Sequence, residues 1–294
     1  MISFNTPHAS RYLFPLGVIF SFLLIGIVFG TETQNAHFNS LVQKLVQDGF
    51  KEDQLKTIYN GEQPVDLALE SVALFFSHSE SRLNYDQFLS RSELEKAREY
   101  MATHAEILSR VEKEYGVKKS IITAITLVET RLGTYLGGSS ILNTFSTLSA
   151  IESPELKEMV WNKIPPSRRI DRETFELKVS TKSKWAYKEL QAYLTYSLRE
   201  GLTPSSIKGS YAGAIGISQF MPTSIISYGK DGNNDGRIDL FDHTDAITSI
   251  ANYLKHFGWR PGISDQEAFT VLFNYNRSKY YVNTLLKIAK ELDS

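Results

Sequence analysis

Apolar residues recur three or four positions apart along most of this chain, and this spacing restricts the fold more than any other feature. Residues 117–132 show it, because their apolar side chains form one helical stripe that Gly133 can end. The stripe consists of Ile121, Ile125, Val128 and Leu132. Nowhere do apolar and polar residues alternate with strand period over a useful length. The sequence therefore predicts a mainly α-helical fold with little β structure.

The same spacing divides the rest of the chain into helical segments. Short helices are predicted within residues 37–62, and others at 67–76, 92–115, 185–198, 245–257 and 278–292. Residues 152–183 differ, because they are rich in charge and contain the pair Pro165-Pro166. We predict an insertion or mobile loop there rather than a part of the core.

The composition is that of a globular chain suited to a neutral partner. Its 294 residues, 42% of them hydrophobic, suffice for one large domain or two modest ones. Lys and Arg number 32 against 33 Asp and Glu, and no basic block is interleaved with aromatic residues, so we expect no nucleic-acid partner. The 15 Tyr and 17 Phe residues can present flat faces to an uncharged ligand or simply fill the core.

Cysteine is absent, which excludes several kinds of chemistry. Disulfides, thiolate nucleophiles, cysteine-based zinc sites and a lipid-modified N-terminal Cys all require it. The six histidines are scattered and show no metal-ligand spacing. We expect no organic cofactor, and the chain is not expected to be a lipoprotein.

The N-terminus carries an apolar segment typical of a protein that is directed to a membrane. Residues 13–29 are almost wholly apolar and follow His8 and Arg11. This segment is long for the core of a signal peptide and short for a spanning helix. Cleavage after Gly30 or Ala36 therefore competes with retention as an inner-membrane anchor. In both cases we expect export to the periplasm or cell envelope.

The stretch from Lys208 to Ser224 mixes glycine, small polar residues and proline in a way that ordinary helices and strands avoid. Gly209, Gly213 and Gly216 allow a close approach of the backbone or a positive φ, and Pro222 can stop or restart a helix. Ser210 and Gln219 can form hydrogen bonds with a ligand. The stretch fits the wall of a binding cleft, and equally a tightly packed helix.

Glu129 is the candidate acid in the helix of residues 117–132. It borders the apolar stripe in the last helical turn. Apolar surroundings and the negative end of the helix dipole both disfavour the ionised carboxylate, so we expect a raised pKa, which suits a general acid. A return of the Arg131 side chain towards the carboxylate would oppose that shift.

Residues 231–242, with the sequence DGNNDGRIDLFD, match the start of an EF-hand calcium loop. The ligands would be Asp231, Asn233, Asp235 and the Arg237 carbonyl, and Asp242 or Asp245 would close the site. The alternative is a turn that caps the helix beginning near Thr244. A single loop suits a structural ion better than a calcium sensor.

Several segments, in this order, resemble the membrane-bound lytic murein transglycosylase B family. They are VETRLG from Val128, KGSYAGAIGISQFMP from Lys208, the 29 residues from Asp231 to Trp259, and NYN from Asn274. The resemblance is weak from about Phe38 and strong from about Tyr115 to Tyr281. It implies a lysozyme-like helical core at 115–294, after an N-terminal helical region at 37–114 and a signal or anchor at 1–36.

The resemblance also implies an activity and its residues. The family cleaves the β-1,4 bond between N-acetylmuramic acid and N-acetylglucosamine in peptidoglycan and leaves a 1,6-anhydro sugar. Glu129 would be the sole catalytic acid and base, and the structural calcium or sodium ion would be closed by Asp245 rather than Asp242. The sugar cleft would be lined by Ser210, Gln219, Tyr253, Tyr275, Asn276 and Tyr281.

The chain departs from the family between Trp259 and Tyr275, where known members carry a small β domain and this sequence has a short link. We therefore expect that β domain to be absent. Two other functions stay open. The same Glu129 would serve a muramidase that uses water, and a non-catalytic peptidoglycan-binding scaffold would not need it at all.

Overall fold

The computed structural model describes residues 36–78 and 84–294, and within them the protein is almost entirely helical. The apolar segment at 13–29, and with it the choice between signal peptide and anchor, lies outside the described residues. Within the described part, no helix combines the length and apolar character that crossing a bilayer requires. The helices are α1 Asn39–Gln47, α2 Glu52–Asn60, α3 Leu69–Ser77, α4 Arg91–Thr103, α5 Ala105–Tyr115, α6 Lys119–Thr130, α7 Ile141–Ala150, α8 Pro154–Lys163, α9 Arg172–Arg199, α10 Pro222–Tyr228, α11 His243–His256, α12 Asp265–Tyr275 and α13 Lys279–Asp293.

Helix α9 is the longest of these helices and packs against α7 and α10. It begins where the Asp171 side chain accepts a 2.8 Å hydrogen bond from the backbone N–H of Thr174. Its later turns bury Tyr193 and Tyr196 completely. Since buried hydroxyls need partners, each donates to a backbone carbonyl, that of Pro204 and that of Ile238 respectively.

Helix α6 lies inside the fold, between α13, α4 and α5. Residues 120–127 are buried on every face, which is why the apolar stripe there is broader than one side of a helix. Thr123 and Thr126 satisfy their buried hydroxyls on carbonyls one turn earlier. The helix ends in left-handed residues, Arg131 with φ of 49° and Gly133 with φ of 86°, as the sequence predicted for Gly133.

The β structure of the described residues is confined to one small sheet. Strand β1, Ser139–Ser140, pairs antiparallel with β2, Lys208–Gly209, with Ser139 opposite Gly209. This pairing joins the turn that follows α6 to the start of the glycine-rich stretch. It therefore brings two of the sequence motifs to the same side of the core.

The structure corrects the prediction of a loop at 152–183. This segment contains all of α8, a 3-10 turn at Pro166–Arg168 and the start of α9. Its charged residues hid two apolar pairs with helical spacing, Leu156 with Val160 and Phe175 with Val179, and all four are buried in the core.

The other predicted helices are present with shifted bounds. The block at 92–115 is two helices, α4 and α5, which meet at His104. The link predicted between Trp259 and Tyr275 contains α12, which a capping box at Ser264 and Glu267 begins. Together with the single small sheet, this bears out the mainly helical fold without a β domain in the described residues.

Candidate active site

Glu129 lies in the last turn of α6, half-buried at the wall of a cavity of about 240 Å³. The lining comes from α6, from the segment at 84–89 and from the region around the start of α13. It consists of Asn84, Tyr85, Gln87, Phe88, Val128, Glu129, Asn276 and Tyr281. Among these, Glu129 is the one ionisable carboxylic acid, and the rest are amides, aromatic rings and a valine. The cavity therefore suits a neutral ligand rich in hydroxyl groups.

Tyr281 contacts Glu129 directly. Its hydroxyl donates a 2.6 Å hydrogen bond to Oε1 of Glu129. The ring is buried in the first turn of α13, which Ser278 caps by accepting from the Tyr281 N–H. Burial, and after it the charge of Glu129, raises the pKa of the Tyr281 hydroxyl well above its usual value. Tyr281 consequently remains a proton-bearing donor towards Glu129.

Tyr275 and Tyr253 lie beside this cavity and contact the glycine-rich stretch. The Tyr275 hydroxyl donates to the Ser218 carbonyl at 2.5 Å, and its ring lies 5.8 Å from that of Phe220. Tyr253 packs against Tyr275 and donates its hydroxyl to the Asn274 carbonyl at 2.7 Å. Burial, followed by Glu129, raises the pKa of Tyr275 well above its usual value. Both hydroxyl groups therefore hold backbone carbonyl groups in place through hydrogen bonds.

The glycine-rich stretch forms a compact turn against the end of α6. Isolated bridges join Gly209 to Ile215 and Ile215 to Phe220. The Thr130 hydroxyl, one residue after Glu129, donates to the Ile217 carbonyl at 3.3 Å. The stretch is therefore a folded loop rather than the tightly packed helix considered from the sequence, and α10 begins at Pro222.

Gly213 and Gly216 are both required by this loop. Gly213 has φ of 96°, and a Cβ there would lie 2.1 Å from the Phe145 ring. Gly216 has φ of 70°, and its Cβ would lie 2.4 Å from the Leu240 carbonyl oxygen. Close packing therefore accounts for these two glycines.

The polar residues of the same loop form local hydrogen bonds. Ser210 Oγ accepts from the Ala214 N–H at 3.0 Å, and Gln219 Nε2 donates to the Gly216 carbonyl at 2.8 Å. Both side chains are partly exposed, and neither lines the cavity that contains Glu129. Of the predicted site residues, the structure thus gathers Glu129, Asn276 and Tyr281 on one cavity, with Tyr253 and Tyr275 packed together and Ser210 and Gln219 in the adjoining loop.

The opposite wall of the cavity is a five-residue 3-10 helix at Tyr85–Leu89, which was not predicted from the sequence. The Tyr85 ring meets the Tyr281 ring edge-on, with centroids 6.4 Å apart. Gln87 lines the cavity and donates from Nε2 to the Asn84 carbonyl at 2.6 Å. The mixture of tyrosine and amides at residues 84–87, NYDQ, is similar to that in NYN from Asn274 and was the signal available for it.

The candidate ion loop is folded by its own polar side chains. The Asp231 carboxylate accepts from the N–H groups of Asp235 and Gly236, at 3.1 and 2.9 Å. Asn233 Oδ1 accepts from the Asp235 N–H, and Asp235 Oδ1 from the Arg237 N–H. These carboxylate and amide oxygens are ligands of the type that calcium prefers. In residues 36–78 and 84–294, however, no three His, Cys, Asp or Glu side chains converge as a metal cluster.

Asp242 and Asp245 have different roles at the end of this loop. Asp242 caps α11, since its Oδ1 accepts from the N–H groups of Thr244 and Asp245. Asp245 is fully buried, and its carboxylate accepts from Gly232 at 2.8 Å and from Asp239 at 2.8 Å. The capping interpretation thus applies to Asp242, while Asp245 ties the two limbs of the loop together.

A mainly helical core with an acidic side chain in an otherwise neutral cleft is compatible with a lysozyme-like enzyme that acts on a glycan. A family model described as Transglycosylase SLT domain matches residues 33–267. The chain therefore belongs to the transglycosylase SLT domain family, and the sequence prediction of a lytic transglycosylase with a lysozyme-like fold is confirmed.

Known proteins agree with this assignment. Membrane-bound lytic murein transglycosylase B of Escherichia coli (strain K12) is 29% identical over 273 residues, which cover 87% of this chain and 68% of that protein. The crystal structure of soluble lytic transglycosylase SltB1 from Pseudomonas aeruginosa matches 86% of this chain and 97% of its own, with TM-score 0.69 and 25% identity. Escherichia coli lytic transglycosylase Slt35 in complex with calcium matches 87% and 92%, with TM-score 0.67 and 23% identity.

Proposed function

We propose that this lytic transglycosylase cleaves the β-1,4 bond between N-acetylmuramic acid and N-acetylglucosamine in peptidoglycan without consuming water. The observation that carries this is the single carboxylate, Glu129, in a cavity otherwise lined by neutral groups. Most glycosidases need a second carboxylate as nucleophile or base. With one carboxylate, a hydroxyl group of the substrate itself can serve as the attacking group, already held close to C1. The murein named for the Escherichia coli relative is a substrate of this kind.

Glu129 would act twice in this reaction. As the acid, it protonates the glycosidic oxygen, and the bond from that oxygen to C1 of the muramic acid breaks. As the carboxylate, it then accepts the proton of the C6 hydroxyl while the C6 oxygen bonds to C1. The product is a 1,6-anhydro sugar, and Glu129 regains its proton. The N-acetyl group of the substrate would stabilise C1 between the two steps.

The surrounding residues support these two steps. Tyr281 donates to Glu129 Oε1 and so stabilises the carboxylate between bond breaking and ring closure. Asn276, with Tyr85 and Gln87 on the opposite wall, offers hydrogen bonds and ring faces to the sugars. We propose that Ser210 and Gln219 contact the glycan strand where the cleft continues along the glycine-rich loop. Tyr253 and Tyr275 support that loop from behind.

A digestion experiment tests the activity. Purified peptidoglycan is digested with wild-type protein and with Glu129→Gln, and the sugar ends are identified by mass spectrometry. We expect anhydro ends, which are one water lighter than reducing ends, and a loss of about 1,000-fold or more in rate for the variant. Reducing ends would instead identify a hydrolytic muramidase. Equal behaviour of the two proteins would identify a non-catalytic scaffold.

We also propose that the loop at 231–245 holds a calcium or sodium ion. The oxygens of Asp231, Asn233, Asp235 and the Arg237 carbonyl belong to one short turn, which supports this proposal. The oxygen Oδ2 of Asp245 accepts a hydrogen bond from the Asp239 N–H and has a further lone pair for the ion. The calcium named for the Slt35 structure is a further reason to test this ion.

The apolar segment at 13–29 leads us to propose that the protein is exported to the cell envelope, where peptidoglycan lies. Fractionation of cells that express the full chain would test this. Recovery from the periplasm or the membrane fraction is expected, and recovery from the cytoplasm would contradict the proposal. N-terminal sequencing of the recovered protein would separate a cleaved signal from a retained inner-membrane anchor.

A further inference from the structure

Arg131 directly follows the helix that carries Glu129, and its backbone is left-handed. The φ angles of Arg131, Leu132 and Gly133 are 49°, 61° and 86°, which is unfavourable for the first two because they have side chains. Backbone hydrogen bonds hold the turn, from Arg131 to the Leu127 carbonyl and from Leu132 to the Thr126 carbonyl. This conformation fixes where the Arg131 side chain leaves the end of α6.

The guanidinium of Arg131 reaches across to the opposite wall of the cavity. Its Nη2 donates to Gln87 Oε1 at 2.7 Å, and its Cζ lies 5.4 Å from the centre of the Phe88 ring. Its Nη1 lies 3.7 Å from Oε2 of Glu93, a mostly buried carboxylate in the first turn of α4. One side chain thus joins the end of α6 to the 3-10 helix at Tyr85–Leu89 and to the helix after it.

The 3-10 helix at Tyr85–Leu89 is only five residues long. Helices of this type are short and their hydrogen bonds have poor geometry. Phe88 anchors it in the core, and α13 packs against it. Together with Asn84, which caps it, this helix nevertheless supplies half of the cavity lining, including Tyr85, whose ring meets Tyr281. A shift of this segment would change the width of the cleft next to Glu129.

We propose that Arg131 is a positioning residue that fastens the 84–89 segment to the end of α6 and so fixes the width of the cleft beside Glu129. This rests on the proposed function above, because it concerns the same cleft. Arg131 acts through Gln87 and Phe88 rather than on the reacting atoms. Its loss should therefore weaken substrate binding much more than it slows proton transfer.

Steady-state kinetics on soluble glycan strands test this role. We expect Arg131→Ala to raise KM about tenfold, as the loss of a charge-assisted hydrogen bond would, while kcat stays within about threefold and the pH profile of kcat is unchanged. Arg131→Lys should restore only part of the loss, because lysine lacks the planar group that lies over Phe88. Arg260→Ala, which removes an exposed arginine paired with Glu267, is the matched control.

A double-mutant cycle with Gln87→Ala decides whether Arg131 acts through Gln87. If it does, the double variant should raise KM no more than the larger of the two single changes. Independent, multiplying effects would overturn the proposal, because Gln87 would then contact sugar without needing Arg131. A fall in kcat for Arg131→Ala as large as its rise in KM would overturn the proposal too.

Hydrogen exchange measures how firmly the 84–89 segment is held, and this measurement needs no substrate. In Arg131→Ala, amides of residues 85–89 should exchange faster, while those of the distant helix α12 should not change. Unchanged protection at 85–89 would refute the positioning role. This readout stays decisive if wild-type protein fails to cleave peptidoglycan, so a failure of the proposed function and a failure of this inference can be told apart.

Discussion

The hydroxyl of Tyr281 donates a 2.6 Å hydrogen bond to Oε1 of Glu129, across 152 positions of sequence. The tyrosine is 2% exposed, and its raised pKa keeps the proton on the phenol oxygen. A donor in this place favours the ionised carboxylate. In the proposed mechanism, the contact would therefore stabilise Glu129 in the ionised form that accepts the C6 proton.

Tyr281→Phe tests this contact. The ring and its packing remain, while the carboxylate loses one charge-assisted hydrogen bond worth about 1.5–3 kcal/mol. We expect kcat to fall about tenfold or more. The pH profile of kcat should also move towards higher pH, because an ionised Glu129 without its donor is less stable.

Tyr280→Phe is the matched control for that experiment, since Tyr280 is the exposed neighbour on the same helix. It should leave both kcat and the pH profile unchanged. If Tyr281→Phe altered the melting temperature but neither kinetic quantity, the hydrogen bond would have a structural role alone.

Buried Glu189 on α9 makes stability depend on pH. Burial raises the pKa of this carboxyl, and the N–H and hydroxyl of Thr223 oppose the shift by donating to it at 2.9 Å each. Because the folded pKa exceeds the unfolded value of 4.5, the folded state retains a proton that the unfolded chain releases. The stabilising contribution is complete below the unfolded pKa and is lost as pH rises through the folded pKa.

Glu189→Gln should remove this dependence, because the amide cannot ionise and still accepts from Thr223. Its melting temperature relative to wild type should therefore increase from about pH 4 to about pH 7. Thermal unfolding at a series of pH values measures the difference. The exposed Glu173→Gln on the same helix is the control, and parallel curves for Glu189→Gln and wild type would contradict the prediction.

The helical fold and the position of Glu129 could be predicted because both depend on local patterns. The apolar spacing before Gly133 predicts α6, and Glu129 follows that spacing in the last turn of the helix. The prediction of a loop at 152–183 was wrong because surface charge on α8 and α9 masked short apolar pairs such as Leu156 and Val160. A pattern of charges describes the wet face of a helix and says little about the face that is buried.

The opposite wall of the cleft could not be predicted from sequence spacing. Gln87 reaches the site through a hydrogen bond with Arg131 across 44 positions. Contacts of this kind depend on tertiary packing, which no local period encodes. The family resemblance implied site residues such as Tyr281. It did not show that the hydroxyl groups of Tyr275 and Tyr253 form hydrogen bonds with backbone carbonyls.

Gly213 in the glycine-rich loop is a test of packing next to the cleft. An alanine there would combine a positive φ with a Cβ only 2.1 Å from the Phe145 ring. We expect Gly213→Ala to lower the free energy of unfolding by about 1–3 kcal/mol, measured by urea denaturation. Gly138→Ala is the control, because no atom lies within 4 Å of its added Cβ. Equal stability of the two variants would show that the loop can shift to accept a side chain.

Asp245 allows the ion loop to be tested separately from its hydrogen bonds. Asp245→Asn keeps one acceptor oxygen but places an amide N–H₂ against backbone donors in a fully buried position. We expect it to lower the free energy of unfolding by about 2–3 kcal/mol even without calcium.

Asp235→Asn, at an exposed candidate ligand, should change stability little without calcium. It should, however, abolish the rise in melting temperature that calcium gives wild type by mass action. If calcium and a chelator leave the wild-type melting temperature unchanged, the loop holds no ion, and Asp245 serves only to join its two limbs.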